Sequence, residues 1–171
     1  MTAPRDRASA FRESTPGADV ELAYAGIDTF LDGEHRDIDS VADVEAAVFG
    51  VPYDGAVSNR PGARYGPGAI REASGWYAYL SVYKGALTNM RTGDQIDFDN
   101  FAVADVGDVP LFPMDHETTA ESITAHAATV ASQTFPVMLG GDHYCTFPSF
   151  RGFVEGTGHD SVGFVQIDAH T

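Results

Sequence analysis

The sequence predicts an α/β fold with three layers, helix, sheet and helix, built around a mainly parallel sheet. Short and nearly continuous apolar runs recur along the chain and end in glycine, aspartate or histidine, which is typical of strands buried on both faces. Longer segments with helical spacing separate these runs. A strand, helix, strand order favours parallel strands joined by helices that cover the sheet.

The composition is that of a folded domain with an unusual charge. The chain has 171 residues, of which 43% are hydrophobic, and this is enough for one sizeable core. It carries 25 Asp and Glu against 10 Lys and Arg, a formal net charge of −15. Such a chain lacks the basic face needed to bind nucleic acid or an anionic membrane surface, so both classes of partner are excluded.

Two interpretations of this acidity remain open. Acidic residues can attract a cationic substrate to a site, or they can form a solvated surface adapted to high salt. The carboxylates are scattered through residues 37–39, 94–99 and 105–108, and this favours the surface interpretation. We therefore expect a halophilic source.

Residues 1–45 are polar with weak periodicity, and we expect them to form a partly irregular N-terminal arm. No apolar run approaches the ~18 residues of a membrane span, and the first residues lack an apolar signal core, so we expect a cytoplasmic protein. The single cysteine, Cys145, excludes an internal disulfide. It is expected to be a small buried hydrophobe rather than a nucleophile.

Residues 46–171 are expected to form the domain. Four apolar runs predict its strands: Ala46–Val51, Phe101–Val106, Phe135–Leu139 and Ser161–Ile167. Helical spacing with a Thr118/Glu121 capping box predicts a helix over Asp115–Gln133, whose buried face is Ala120, Ile123, Ala127 and Val130. Pro67 suits the first turn of a second helix, whose shared face is Ile70, Ala73, Tyr77 and Leu80. A shorter third helix is predicted over Phe147–Val154.

Two of the predicted strands end in residues that can bind metal. The third is followed by Gly140-Gly-Asp-His143, and the fourth by Asp168-Ala-His170. In open α/β sheets ligands bind beyond the carboxyl ends of the strands, where neighbouring strands lie about 4.8 Å apart. His143, Asp168 and His170 are therefore candidate metal ligands. The alternative, that each histidine merely caps a strand at the surface, is the commoner role for a lone histidine.

A third segment makes the pattern specific. Residues 50–71 read GVPYDGAVSNRPGARYGPGAIR, and this stretch resembles a loop of the agmatinases and related ureohydrolases. The resemblance continues in order through Gly140-Gly-Asp-His143 and Asp168-Ala-His-Thr171, so it covers residues 46–171. Arg60, Arg64 and Arg71 are interpreted as structural residues that bind carbonyls and carboxylates, because the family's guanidinium substrates would be repelled by arginine.

The resemblance implies an arginase-like αβα fold and a reaction that hydrolyses a guanidino compound to urea and an amine. Agmatine, which yields putrescine for polyamine biosynthesis, is the first candidate substrate. By the family's pattern two Mn²⁺ ions activate water, with His143 binding one ion, Asp168 bridging both and His170 binding the other. The resemblance assigns no catalytic or substrate-binding residue to this chain.

Two alternatives to agmatine hydrolysis stay open. A sister enzyme would act on guanidinobutyrate, arginine or guanidinopropionate, and a non-catalytic fragment would act through subunit association. The family pattern continues beyond Thr171, so we expect a fold truncated after about half and weak or absent activity, while the intact parent is expected to be a homo-oligomer. Tyr144 stands where serine is common, and it can either alter packing behind His143 or narrow the choice of substrate.

Overall fold

The computed structural model describes residues 26–84, 87–96 and 101–169. The strands in these ranges are β1 (Glu34–His35), β2 (Ala46–Val51), β3 (Leu87–Thr88), β4 (Gln95–Ile96), β5 (Val103–Asp108) and β6 (Phe135–Gly140). The α-helices are α1 (Gly66–Lys84), α2 (His116–Ala131) and α3 (Thr146–Thr157). Short 3₁₀ turns lie at Phe30–Asp32, Ala63–Tyr65 and His143–Cys145.

The main sheet has four strands in the order β1-β5-β2-β6, and each neighbouring pair is parallel. All six residues of β2 are buried, as expected for a central strand covered on both faces. Strands β3 and β4 form a separate antiparallel pair. The predicted α/β class with a mainly parallel sheet is confirmed.

Helices cover both faces of β2. Successive side chains of a strand point to opposite faces. The ring of Phe49 lies 5.2 Å from that of His126 on α2. The next residue, Gly50, faces α1, where an added Cβ would lie 3.0 Å from the Cβ of Pro67. The sheet is therefore the middle of three layers.

Two of the four strand predictions are confirmed with little change, at β2 and β6. The strand expected at Phe101–Val106 lies two residues later, at β5. The prediction over Ser161–Ile167 is wrong, because this segment has no regular structure. Its apolar side chains suit burial, but Ile167 is 98% exposed. A strand also needs a neighbour for its backbone hydrogen bonds, and no ladder to this segment occurs among the described residues.

The helix predicted over Asp115–Gln133 is confirmed as α2, with Ile123, Ala127 and Val130 buried. The predicted capping box at Thr118 is wrong. The carboxylate of Asp115 accepts a hydrogen bond from the backbone N–H of Thr118 at 3.0 Å, so the helix begins three residues earlier. A carboxylate satisfies free N–H groups at a helix start and is favoured there by the helix dipole.

The helix predicted after Pro67 is confirmed as α1, but the apolar face that its spacing indicates is not the face that it buries. Ile70 and Tyr77 are 41% and 57% exposed, and α1 instead buries Arg71 and Ser74. The physical reason is electrostatic, because Arg71 finds carboxylate partners on the sheet. The third predicted helix is confirmed as α3 and extends to Thr157.

Part of the predicted N-terminal arm joins the sheet. Residues 1–25 lie outside the described ranges, but β1 pairs with β5 at Glu34 and His35. The boundary between arm and domain at residues 45 and 46 stays a prediction. Among the described helices, none is both long and apolar enough to cross a bilayer.

Candidate functional site

Two of the three predicted metal ligands are in contact beyond the carboxyl end of β6. The Nδ1 atom of His143 lies 3.2 Å from the Oδ2 atom of Asp168. The same Oδ2 atom accepts a hydrogen bond from the side-chain amide of Gln166 at 3.0 Å. The His143 side chain is 58% exposed and that of Asp168 is 21% exposed, so solvent reaches the pair. His170 lies outside the described residues.

The chemistry of this pair fits manganese. Imidazole nitrogen and carboxylate oxygen are a donor set that Mn²⁺ accepts, and zinc sites more often contain sulfur. The described ranges contain no group of three or more His, Cys, Asp or Glu side chains placed to hold a metal ion. The pair therefore supplies part of a ligand set, and the complete set stays a prediction.

The backbone that carries His143 interlocks with the loop after β2. The N–H of Asp142 donates to the carbonyl of Tyr53 at 2.8 Å. The carboxylate of Asp142 accepts the N–H of Ala56 at 2.8 Å and that of Tyr144 at 3.1 Å. A Cβ at Gly141 would overlap the backbone of Tyr53, so only glycine fits there. We call these contacts between residues 53–56 and 141–144 the clasp.

A hollow of about 540 Å³ opens beside His143. Its described lining is largely aromatic: His143, Tyr144, Thr146, Phe147, Phe150, Phe164 and Gln166. The rings of Phe150 and Phe164 meet edge to face, with centroids 5.2 Å apart. The hollow is therefore large enough for a small molecule, and it lies directly beside His143, one of the candidate metal ligands.

Arg64 has the structural role that the sequence predicts. It forms an ion pair with the buried carboxylate of Asp54, which also accepts the N–H of Gly62 at 2.7 Å. The hydrogen bond from Arg64, followed by that from Gly62, lowers the pKa of Asp54 to about 2. These contacts fix the loop between β2 and α1. Arg60 is exposed.

Arg71 is also structural, and it lies beneath α1. Its Nε and Nη2 atoms donate to the two carboxylate oxygens of Asp105 at 2.8 and 3.0 Å, and Nη1 donates to Asp108 at 2.6 Å. Although burial opposes the charge, the hydrogen bonds that Arg71 donates to Asp105 and Asp108 raise the pKa of its guanidinium. Asp105 is 1% exposed, so including it among the solvated surface carboxylates was wrong.

A bulge in β5 brings both aspartates to one face. Residues three apart on a regular strand point to opposite faces. Here Val48 pairs with Asp105 but Gly50 pairs with Asp108, so β5 has one extra residue. Gly107 absorbs it with a φ of 78°, a conformation that glycine adopts without steric cost. A Cβ at position 50 would overlap the carboxylate of Asp108, so the glycine there leaves room for that carboxylate.

A sequence model of the arginase family matches residues 44–171 of this chain. The chain belongs to the arginase family. The agmatinase of Gallus gallus, described as mitochondrial, is 36% identical over 171 residues, which are 99% of this chain and 46% of the relative. The mitochondrial guanidino acid hydrolase of Homo sapiens is 37% identical over 129 residues, or 75% of this chain and 34% of the relative.

A solved arginase-family structure shares the fold. Proclavaminate amidinohydrolase from Streptomyces clavuligerus superposes with a TM-score of 0.64 and 32% identity over 79% of this chain and 42% of that chain. This chain thus spans less than half the length of these arginase-family proteins. The predicted arginase-like fold is confirmed.

Sequence reasoning missed the clasp, although one clue was present. The clue is the pair of adjacent glycines, Gly140 and Gly141, neither of which has a positive φ that would itself require glycine. Gly141 is instead required by the close approach of Tyr53. The clue to Asp142 is its place one residue before a helical turn, where aspartate caps free N–H groups.

Two further predictions near His143 can be compared with the structure. Cys145 is fully buried, and burial raises the pKa of its thiol to about 11, so its expected role as a buried hydrophobe is confirmed. Tyr144 is half-buried, with its ring centroid 5.8 Å from that of Tyr53. This contact supports the interpretation that Tyr144 alters packing behind His143.

Proposed function

We propose that the protein containing this chain hydrolyses agmatine to putrescine and urea with manganese as its cofactor. The observation that carries the proposal is the contact of His143 with Asp168 at the carboxyl edge of the sheet of an arginase-family domain. Ligands bind at this edge in open α/β sheets. The 171-residue chain itself is proposed to be weakly active or inactive.

His143, Asp168 and His170 would hold the metal. Manganese, when bound, supplies the Lewis acidity that activates water for attack on a guanidinium carbon. Solvent reaches the side chains of both His143 and Asp168. A cation can therefore approach their donor atoms without opening the core of the domain.

The hollow beside His143 supports agmatine over guanidino acids. Its described lining contains no lysine or arginine that could bind a substrate carboxylate. Similarity leaves the substrate undecided, because an agmatinase, a guanidino acid hydrolase and a proclavaminate amidinohydrolase are 36%, 37% and 35% identical to the chain.

Urea release from a panel of guanidino compounds tests the proposal. The whole protein, loaded with Mn²⁺, is expected to release urea with the highest kcat/KM from agmatine and to lose this activity when the metal is chelated. A higher kcat/KM for guanidinobutyrate, arginine or guanidinopropionate would assign a sister activity instead. Urea release by the 171-residue chain at the rate of the whole protein would contradict the proposed weak activity of the chain.

A non-catalytic role through subunit association is the second candidate. The outer edge of β6 has no strand partner among the described residues, and the nearby Val165 and Ile167 are 86% and 98% exposed. Unpaired edges and exposed apolar side chains favour association. Sedimentation of the chain across a range of concentrations tests this, and a monomer throughout would exclude self-association. The whole protein that contains this chain is proposed to be a homo-oligomer.

The acidic composition extends the proposal to the protein's surroundings. Among the described aspartates, Asp39 and Asp94 are exposed, which agrees with a solvated surface. A halophilic protein is expected to become more stable between low and molar salt. Equal urea midpoints in both conditions would contradict a halophilic source. A cytoplasmic location stays a prediction.

A further inference from the structure

The segment that carries His143 is held by hydrogen bonds centred on one residue, Asp142. The N–H of Asp142 donates to the Tyr53 carbonyl, and its two carboxylate oxygens accept the N–H groups of Ala56 and Tyr144. Both oxygens are therefore already engaged with the backbone. A carboxylate used in this way is poorly placed to bind metal, although it neighbours a candidate ligand.

The clasp leaves the backbone at His143 little freedom. Gly141 lies against the backbone of Tyr53 in a gap that excludes even a Cβ. Cys145, two residues after His143, is fully buried, and its N–H donates to the Asp142 carbonyl at 3.2 Å. The His143 side chain itself is 58% exposed. The imidazole is thus positioned by a held backbone and by the contact of its Nδ1 atom with Asp168.

We propose that Asp142 is a positioning residue, which fixes His143 by joining the loop after β2 to the turn after β6. The proposal rests on the assignment of His143 as a metal ligand in the proposed function. Ligands that are held in place before the metal arrives lose less freedom on binding, so their affinity is higher. The loop containing Pro52 and Tyr53 then influences the metal site only through Asp142, because the loop itself supplies no candidate ligand.

Asp142→Asn tests the proposal, because it preserves shape but replaces one acceptor oxygen with an N–H₂ group. Either the Ala56 or the Tyr144 N–H then loses its partner. Mn²⁺ affinity of the chain, measured by electron paramagnetic resonance of free manganese, is expected to fall roughly tenfold. In the metal-free chain, the ¹⁵N and ¹³C resonances of the His143 ring are expected to shift or broaden.

Glu45→Gln is the matched control. The N–H of Glu45 donates to the Ala102 carbonyl at 3.0 Å and its carboxylate accepts the Ala102 N–H at 2.7 Å, so it repeats the pattern of Asp142. Glu45 directly precedes β2, so it lies at the amino ends of the strands, whereas His143 lies at their carboxyl ends. This variant is expected to alter neither Mn²⁺ affinity nor the His143 resonances. Equal effects of the two variants on manganese binding would overturn the proposal.

The outcomes separate this inference from the proposed function. Unchanged His143 resonances in Asp142→Asn overturn the positioning role, whether or not manganese binds. A second outcome is that the His143 resonances shift in Asp142→Asn, while the unsubstituted chain shows no manganese binding that depends on His143. This outcome supports the positioning role and contradicts the assignment of His143 as a metal ligand. If Asp142→Asn does not fold, Asp142→Ser replaces it, since serine can still cap the Tyr144 N–H but is too short to reach Ala56.

Discussion

Two pairs of oppositely charged or chargeable side chains lie in opposite surroundings, one between α1 and β5 and the other beyond the carboxyl end of β6. Arg71 and Asp105 are 7% and 1% exposed, and both make further hydrogen bonds to the backbone around them. His143 and Asp168 are open to solvent. The first arrangement holds the fold together, whereas the second leaves donor atoms within reach of a ligand. Burial thus distinguishes a structural pair from a candidate metal-binding pair.

The largest effect is expected at Arg71. Replacing it with Met keeps much of the volume but leaves the buried Asp105 carboxylate without its cation, which should cost about 3–5 kcal/mol of unfolding free energy. Urea unfolding measures this. Arg151→Met is the control, because Arg151 is exposed and pairs with Glu155 at 3.3 Å within α3. Such a pair contributes about 0–1 kcal/mol. Equal losses in the two variants would contradict the structural role of Arg71.

Gly141→Ala should have the next largest effect. The new Cβ would overlap the Tyr53 backbone, so the clasp must open, at about 1–3 kcal/mol. Gly68 on α1 is a matched control, because nothing lies within 4 Å of a Cβ added there. Gly68→Ala should be neutral or stabilise by up to about 1 kcal/mol, since alanine suits a helix better than glycine. Thermal unfolding of both variants checks the difference, which vanishes if residues 53 and 141 are not in contact.

Asp54 provides a smaller effect that depends on pH. Its pKa is about 2 in the folded chain, against an ordinary value of 3.8 for an aspartate, so the folded state favours the charged carboxylate. The resulting stability is present above pH 3.8 and is lost as the pH falls towards 2. Asp54→Asn should therefore flatten the decline of the urea midpoint across this window. Arg64→Met should do the same, because Arg64 is the main cause of the shift. If the urea midpoint of either variant fell with acid as steeply as that of the unsubstituted chain, Asp54 would not be the source of this pH dependence.

The smallest effect on stability is expected at the candidate metal site. His143→Ala and Asp168→Asn should each change the unfolding free energy by less than about 1 kcal/mol, because exposed pairs contribute little. Both should nevertheless reduce Mn²⁺ binding strongly, as followed by paramagnetic resonance. A large loss of stability with unchanged metal affinity would make this pair structural and remove the contrast with Arg71 and Asp105.

The sequence could predict features that depend on burial alone. Ala46–Val51 is apolar throughout, and all six residues are buried in the sheet. Ser161–Ile167 is similarly apolar, yet it forms no strand, because pairing depends on a neighbour that composition does not reveal. Apolar spacing also fails to indicate which face of α1 is buried, for a related reason. Hydrophobic spacing selects Ile70 and Tyr77, whereas ion pairing with Asp105 turns Arg71 inward.

The candidate site was predictable only in part. The order of the two motifs placed His143 and Asp168 at the carboxyl end of the sheet, and the structure brings them to 3.2 Å although residues 161–167 form no strand. Tyr53 and Asp142 could not be recognised as partners, because they lie 89 positions apart along the chain and the capping pattern at Asp142 indicates only the turn that follows it. Contacts between distant backbone groups depend on loop geometry, which side-chain periodicity does not encode.

The extra residue in β5 also determines how the gene tolerates small changes. Deleting Gly107 would remove one residue and restore an uninterrupted strand, with the composition otherwise intact. Asp108 would then lie two positions after Asp105 and would still face Arg71, because residues two apart on a regular strand share a face. A loss of three nucleotides at this codon should therefore be less damaging than the loss of one codon from β2, where every residue is buried and the pairing with β6 has no extra residue to spare.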